Sequence, residues 1–69
     1  MDRATSTRIQ QRLHELREAP RDPRISKMLK GLEGMRSSRV GDWRILYTVQ
    51  NETKTIFIVA IRPRGEAYR

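Results

Sequence analysis

Residues 39–49 read RVGDWRILYTV and carry the clearest structural signal in the chain. From Trp43 onward, apolar side chains occupy every second position, which is typical of a strand with one buried face. The preceding Gly41-Asp42 pair has the chemistry of a two-residue hairpin turn. Residues 35–40 are therefore predicted to form a strand that pairs with the following one.

A third strand is predicted after this hairpin. Residues 55–61 read TIFIVAI, an apolar run rich in β-branched side chains, which favours a strand covered on both faces. The polar residues between the two strands provide a turn, in which Asn51 tolerates left-handed backbone geometry. We therefore expect a small antiparallel sheet of three strands.

An amphipathic helix is predicted over residues 2–18, ahead of the sheet. Asp2 is a suitable N-cap, and Pro20 and Pro23 prevent the helix from continuing. The positions expected to face the sheet recur with helical spacing and form one narrow stripe of Thr5, Ile9, Leu13 and Leu16. The stripe predicts that the helix packs on one face of the sheet.

The segment that follows the prolines is basic. A short second helix or turn can form over residues 24–30, with Ile25, Met28 and Leu29 facing inward. On the first helix, Arg12 and the other arginines are mixed with glutamates, a pattern typical of a solvated face.

Length and composition limit the class of protein. The 69 residues fit a single domain, residues 1–69, of the α+β class, with the helix packed on the three-stranded sheet. The chain has no cysteine and one histidine, so no disulfide, metal site or other cofactor is expected. No apolar run has the roughly 20 residues that cross a membrane, and a cytoplasmic location is expected.

Positive charge points to a polyanionic partner. Lysine and arginine total 15 against 8 acidic residues, which gives a net charge of +7. If Trp43 faces the helix, Arg44 faces the opposite side of the sheet. Arg39 lies on the neighbouring strand, and Arg62 and Arg64 lie just beyond the end of the last one. Such a cluster of arginines suits a phosphodiester backbone, because each guanidinium can donate two hydrogen bonds to phosphate.

Two stretches also resemble a known family. LKGLEGMRSSRVGDWRILYTV (residues 29–49) and the terminal IRPRGEAYR (residues 61–69) are similar to the RelE/ParE superfamily of toxins from toxin–antitoxin systems. Members that resemble RelE cut messenger RNA in the ribosomal A site, whereas members that resemble ParE poison DNA gyrase without nuclease chemistry. The resemblance therefore implies a type II toxin with a cognate antitoxin.

The resemblance also implies roles for individual residues. Arg44, Arg64 and Tyr68 match the catalytic positions of the RNA-cleaving branch, which favours a ribosome-dependent endoribonuclease with the ribosome and messenger RNA as partners. In this branch the ribose 2′-hydroxyl attacks the adjacent phosphate. Ser37 falls where another basic residue is common. The remaining residues expected to bind RNA are Lys30, Arg36, Arg39 and Arg62.

Other interpretations stay open at this stage. A ParE-like toxin would act on gyrase, and an inactive, truncated remnant would still bind an antitoxin or nucleic acid. Family members typically begin with a strand that precedes the start of this chain. Without that strand a sheet edge would be exposed, through which the chain could self-associate. Arg44 could also be an ordinary solvated strand residue, and Tyr68 could cover a hydrophobic edge.

Overall fold

The computed structural model describes residues 2–31, 34–53 and 55–63. Within them, one helix precedes four strands: α1 (Arg3–Glu18), β1 (Lys27–Met28), β2 (Met35–Val40), β3 (Trp43–Gln50) and β4 (Thr55–Pro63). The strands form one antiparallel sheet in the order β1-β2-β3-β4. The α+β class is confirmed, with four strands instead of the expected three.

Helix α1 begins and packs as its sequence predicts. The Asp2 carboxylate caps the helix by accepting a hydrogen bond from the Thr5 backbone N–H at 2.8 Å. Ile9 and Leu16 are buried, and Leu13 packs beside them. The helix ends at Glu18, before the first proline. The predicted stripe is therefore the face that the helix turns toward the sheet.

The hydrophobic core lies between α1 and one face of the sheet. Ile45 and Tyr47 of β3 are fully buried, and Trp43 and Val49 are partly buried against the same cluster. This pattern confirms the predicted alternation along β3. Arg44, which lies between two of these residues in the sequence, therefore belongs to the opposite face of the sheet.

The hairpin between β2 and β3 is also confirmed. Val40 pairs with Trp43, so the loop contains only two residues. Gly41, the first of them, has a φ of +59°, a backbone conformation that residues with a Cβ rarely adopt. This turn sets the register of the two central strands, and through it the positions of their arginines.

The short helix or turn predicted over residues 24–30 is partly correct, because a turn forms in which the Ser26 N–H donates to the carbonyl oxygen of Asp22 at 2.9 Å, but it does not continue as a helix. Residues Lys27–Met28 instead form β1, in which Lys27 pairs with Ser37 and Met28 pairs with Arg36. Leu29 is buried and Ile25 packs against the core as predicted, whereas Met28 is exposed. Pairing with the edge of β2 supplies hydrogen bonds that an isolated helical turn would lack, and so the extended conformation is favoured.

A buried network holds the segment that leads into β1. The Tyr47 hydroxyl donates to the carbonyl oxygen of Pro20 at 2.6 Å and also contacts the hydroxyl of Ser26. Arg36 Nε donates to the same Ser26 oxygen at 2.7 Å. The core tyrosine therefore ties residues 20–26 to the sheet.

Strand β4 is not covered on both faces, contrary to the sequence prediction. Phe57, Ile58 and Val59 are all exposed. Among the described residues β4 is an end strand that pairs only with β3. A β-bulge opposite Leu46 and Tyr47 leaves Val59 without a pairing partner. The apolar run therefore forms an exposed sheet edge.

Candidate nucleic-acid interface

Three of the predicted site residues lie in one row across the sheet. Arg39 on β2 pairs with Arg44 on β3, and Arg44 pairs in turn with Arg62 on β4. Paired residues of neighbouring strands share a face, and this face is turned away from α1. Arg39 and Arg62 are exposed, and Arg44 between them is half-buried. We call these three residues the arginine row.

The arginine row concentrates positive charge. Like charges directly opposite each other destabilise a sheet, so such a row is costly unless an anion binds to it. Arg39 Nε donates to the carbonyl oxygen of Gly41 at 3.1 Å, which holds its guanidinium near the turn. The nearby Arg12 and Arg24 are each paired with an acidic neighbour, Glu15 and Asp22 respectively.

A cleft lies beside the arginine row, between β2 and residues 23–27. It has a volume of about 240 Å³. Five of its described lining residues are basic and none is acidic, and the full set is Arg12, Pro23, Arg24, Ile25, Ser26, Lys27, Ser37, Arg39 and Arg44. We call it the basic cleft. Its lining favours a negatively charged ligand.

Arg12 contributes to this cleft from the helix. Its Nη1 donates to the Ser38 hydroxyl at 2.9 Å and to the carbonyl oxygen of Arg39 at 2.8 Å. Its Nε donates to Glu15 at 3.2 Å. Sequence analysis assigned Arg12 to a solvated face, which is wrong, because the side chain covers the edge of β2 beyond the end of β1. The helical period alone does not reveal this contact.

Arg24 is held at the cleft by an acidic neighbour. Arg24 Nη2 donates to Asp22 Oδ2 at 2.7 Å, and its Nε lies 3.1 Å from Oδ1. These side-chain bonds, with a further bond from the Arg24 backbone N–H, lower the pKa of Asp22 to about 2. The guanidinium is therefore oriented by a carboxylate that stays charged well into the acidic range.

Lys27 joins the cleft from β1. Because Lys27 pairs with Ser37, it lies on the same sheet face as the arginine row. Sequence analysis missed it, since β1 has only two residues and its register depends on β2. The nearest signal in the sequence is the basic character of the segment after the prolines.

Two other predicted site residues, Arg36 and Lys30, are not brought to this surface. Arg36 lies on the opposite face of β2, where it pairs with Tyr47 and bonds to Ser26. Lys30 is exposed in the loop between β1 and β2, at the other end of β2 from Arg39. Arg64 and Tyr68 lie outside the described residues.

The described residues contain no group of three acidic or histidine side chains that could hold a metal ion. No helix in the described ranges is long and apolar enough to cross a membrane.

Comparison with known proteins identifies the family. No curated protein matches the chain. The family model described as the ParE toxin of the type II toxin–antitoxin system, parDE, matches residues 2–68. The match includes the helix, the hairpin and all three members of the arginine row. The chain therefore belongs to the ParE toxin family of type II toxin–antitoxin systems, within the RelE/ParE superfamily.

Proposed function

We propose that this toxin is a ribosome-dependent endoribonuclease that cleaves messenger RNA in the A site. Family membership makes the chain a toxin with a cognate antitoxin. The observation that carries the proposal is the arginine row, Arg39–Arg44–Arg62, beside a cleft with no acidic lining among its described residues. A surface with this charge pattern suits the repeating phosphates of RNA.

The proposed reaction uses the RNA's own nucleophile. The ribose 2′-hydroxyl attacks the adjacent phosphorus, the bond to the 5′ oxygen breaks, and a cyclic phosphate and a 5′-hydroxyl result. Half-buried Arg44 would stabilise the negative charge that develops on the phosphorane, because a partly desolvated cation interacts more strongly than an exposed one. Arg39 and Arg62 would hold the phosphate from either side.

Proton transfer falls to residues outside the described part of the chain. We propose that Tyr68 exchanges a proton with the substrate and that Arg64 adds a further positive charge at the phosphate. Arginine is a poor acid or base, so the row itself contributes charge and not protons. The ribosome would supply the orientation of the RNA, and correct positioning alone can lower a barrier by several kcal/mol.

A second candidate is a toxin that inhibits DNA gyrase without cutting RNA. The observation in its favour is the family description, which names the ParE toxin. In that case the arginine row would contact an acidic protein surface or the DNA held by gyrase. The two candidates predict different targets for the same row, so one set of variants can distinguish them.

The decisive experiment is cleavage of a defined messenger on programmed ribosomes, with the 5′ ends of the products mapped. We expect the wild-type chain to cut within the A-site codon. Arg44→Ala should reduce the rate by about 10²-fold or more, the usual effect of removing a transition-state donor. Tyr68→Phe should also slow cleavage. Arg3→Gln, an exposed change at the start of α1, is the charge-matched control.

A parallel assay of gyrase supercoiling completes the comparison. Intact messenger together with loss of supercoiling would replace the first proposal with the second. Intact messenger and normal supercoiling from a folded chain would contradict both. Circular dichroism of each variant checks that lost activity does not come from lost structure.

A further inference from the structure

We propose that the basic cleft binds a second phosphate of the RNA backbone, next to the phosphate held by the arginine row, and that Lys27 is the side chain that binds it. This inference rests on the proposed function for the identity of the ligand as RNA. It extends the interface from β3 and β4 to β1 and residues 23–27.

The position of Lys27 is fixed by strand pairing. Lys27 lies opposite Ser37, and Ser37 is two residues from Arg39 along β2. Two residues along one strand and one step to the next strand give a separation of about 8 Å between the Cα atoms of Lys27 and Arg39. Two long cationic side chains at this spacing can bind successive phosphates without competing for the same one.

The charge of Lys27 is available to a ligand. Arg12 is paired with Glu15, Arg24 is paired with Asp22, and Arg39 donates to Gly41. In the described part of the chain, the exposed ammonium of Lys27 makes no hydrogen bond or ion pair. Lys27 is thus a cation placed among other cations, and an anion in the cleft would relieve their repulsion.

The shape of the cleft also fits a phosphate. The small, buried Ser37 opposite Lys27 leaves space above β2, and Pro23 and Ile25 line the other side. The volume of about 240 Å³ equals roughly eight water molecules, enough for a phosphodiester group and part of its hydration. A bulky residue in place of Ser37 would fill this space.

The inference predicts a specific change in salt dependence. We would measure binding of a fluorescent, 2′-O-methylated single-stranded RNA, which cannot undergo 2′-hydroxyl attack, over a range of KCl concentrations. Each phosphate contact to single-stranded RNA contributes about 0.7 to the slope of log K against log salt. Lys27→Gln should lower the magnitude of that slope by about 0.7, so that a tenfold rise in salt weakens binding of the variant about fivefold less than it weakens binding of the wild type. Lys27→Arg should retain the slope.

Arg3→Gln again serves as the charge-matched control. Arg3 precedes Arg12 by nine residues, which places it about 13.5 Å away along α1 and half a turn around the helix. Its substitution should leave the slope unchanged. If Lys27→Gln and Arg3→Gln lowered the salt slope equally, the inference would be overturned, because only the net charge of the chain would then matter. An unchanged slope in Lys27→Gln would also overturn it.

The test of the second phosphate site can fail or succeed independently of the test of the nuclease proposal. If Lys27→Gln lowers the slope but the wild-type chain leaves messenger intact on ribosomes, the phosphate site stands and the nuclease proposal fails. If messenger is cut and Lys27→Gln binds RNA with the wild-type slope, the nuclease proposal stands and the second phosphate site fails.

Discussion

At the scale of single residues, Tyr47 links the core to the basic cleft. Its ring is fully buried between α1 and the sheet, and its hydroxyl bonds to Pro20 and contacts Ser26. Ser26 is the residue directly before β1 and also lines the cleft. One side chain therefore stabilises the fold and positions the segment that carries Lys27.

We predict that Tyr47→Phe destabilises the protein by about 1–2 kcal/mol, because the part-buried Pro20 carbonyl and the buried Ser26 hydroxyl lose a hydrogen-bonding partner while the ring remains. Urea unfolding followed by circular dichroism measures this change. The RNA-binding slope of the variant should also fall, since the segment before Lys27 is no longer held. An unfolding midpoint equal to that of the wild type would contradict the role given to the hydroxyl.

The Asp22–Arg24 pair provides a second test at this scale. The hydrogen bonds from Arg24 lower the pKa of Asp22 to about 2 in the folded protein. The pair therefore contributes stability fully above the unfolded-state value of about 4, and this contribution is lost as the pH falls through about 2. Carbon-13 NMR of the Asp22 carboxyl should give a midpoint near 2.

Arg24→Gln is the matched variant for this titration. It should move the Asp22 midpoint upward toward the ordinary value, because the charged donor is gone. The same midpoint in the wild type and the variant would show that Arg24 does not hold the carboxylate in solution.

The positions of the arginine row could largely be predicted from the sequence. Alternation along β3 places Arg44 opposite the core face, and the two-residue turn then aligns Arg39 with it. Lys27 and Arg12 were missed for a physical reason. Their positions depend on pairing between β1 and β2 and on a contact from helix to sheet edge, and neither leaves a periodic pattern in the sequence.

At the scale of secondary structure, helix α1, the hairpin and the strand at residues 55–61 follow from local signals, whereas β1 and the exposure of β4 do not. Residues Lys27–Met28 are extended instead of helical, because the edge of β2 and Tyr47 offer this segment better partners. Residues 55–61 contain the expected strand, but burial depends on what covers its outer edge. Tertiary contacts thus override the local preference at β1 and determine how much of β4 is exposed.

The exposed edge of β4 leads to a prediction about self-association. Phe57, Ile58 and Val59 present an apolar edge, which is typical of a surface that pairs with another strand. We expect sedimentation velocity to show concentration-dependent association that increases with salt, because salt screens repulsion between two chains of charge +7. Val59→Lys should weaken it.

Thr53→Lys is the control for added charge, because Thr53 is exposed in the turn before β4. It should weaken association less than Val59→Lys does. Association that is the same in the wild type and in Val59→Lys would mean that the chains meet through another surface.

At the scale of the whole molecule, small size and high net charge both limit the stability of the folded chain. A chain of 69 residues buries a small core, so its stability is modest and responds strongly to bound ligands. The net charge of +7 adds self-repulsion that a polyanion would relieve. Binding of RNA should therefore stabilise the folded chain as well as place the substrate.

We predict that single-stranded RNA raises the melting temperature. At a ligand concentration of about 100 times the Kd, the gain of about 2.7 kcal/mol corresponds to roughly 10–20 °C for a domain of this size. Thermal unfolding by circular dichroism, with and without RNA, measures the shift. The shift should shrink as KCl is added. A melting temperature unaffected by RNA at low salt would contradict binding to the folded state.

The bulge in β4 has a consequence for length variation in this strand. β4 has nine residues where β3 has eight, and Val59 is the one that the pairing leaves out. Deleting Val59 would produce a regular ladder in which Ile61 still lies opposite Ile45 and Arg62 still lies opposite Arg44. Deleting Ile61 would also give a regular ladder, but Ala60 would then lie opposite Ile45 and the core would lose a large apolar side chain. We therefore expect this strand to tolerate the loss of Val59 better than the loss of Ile61.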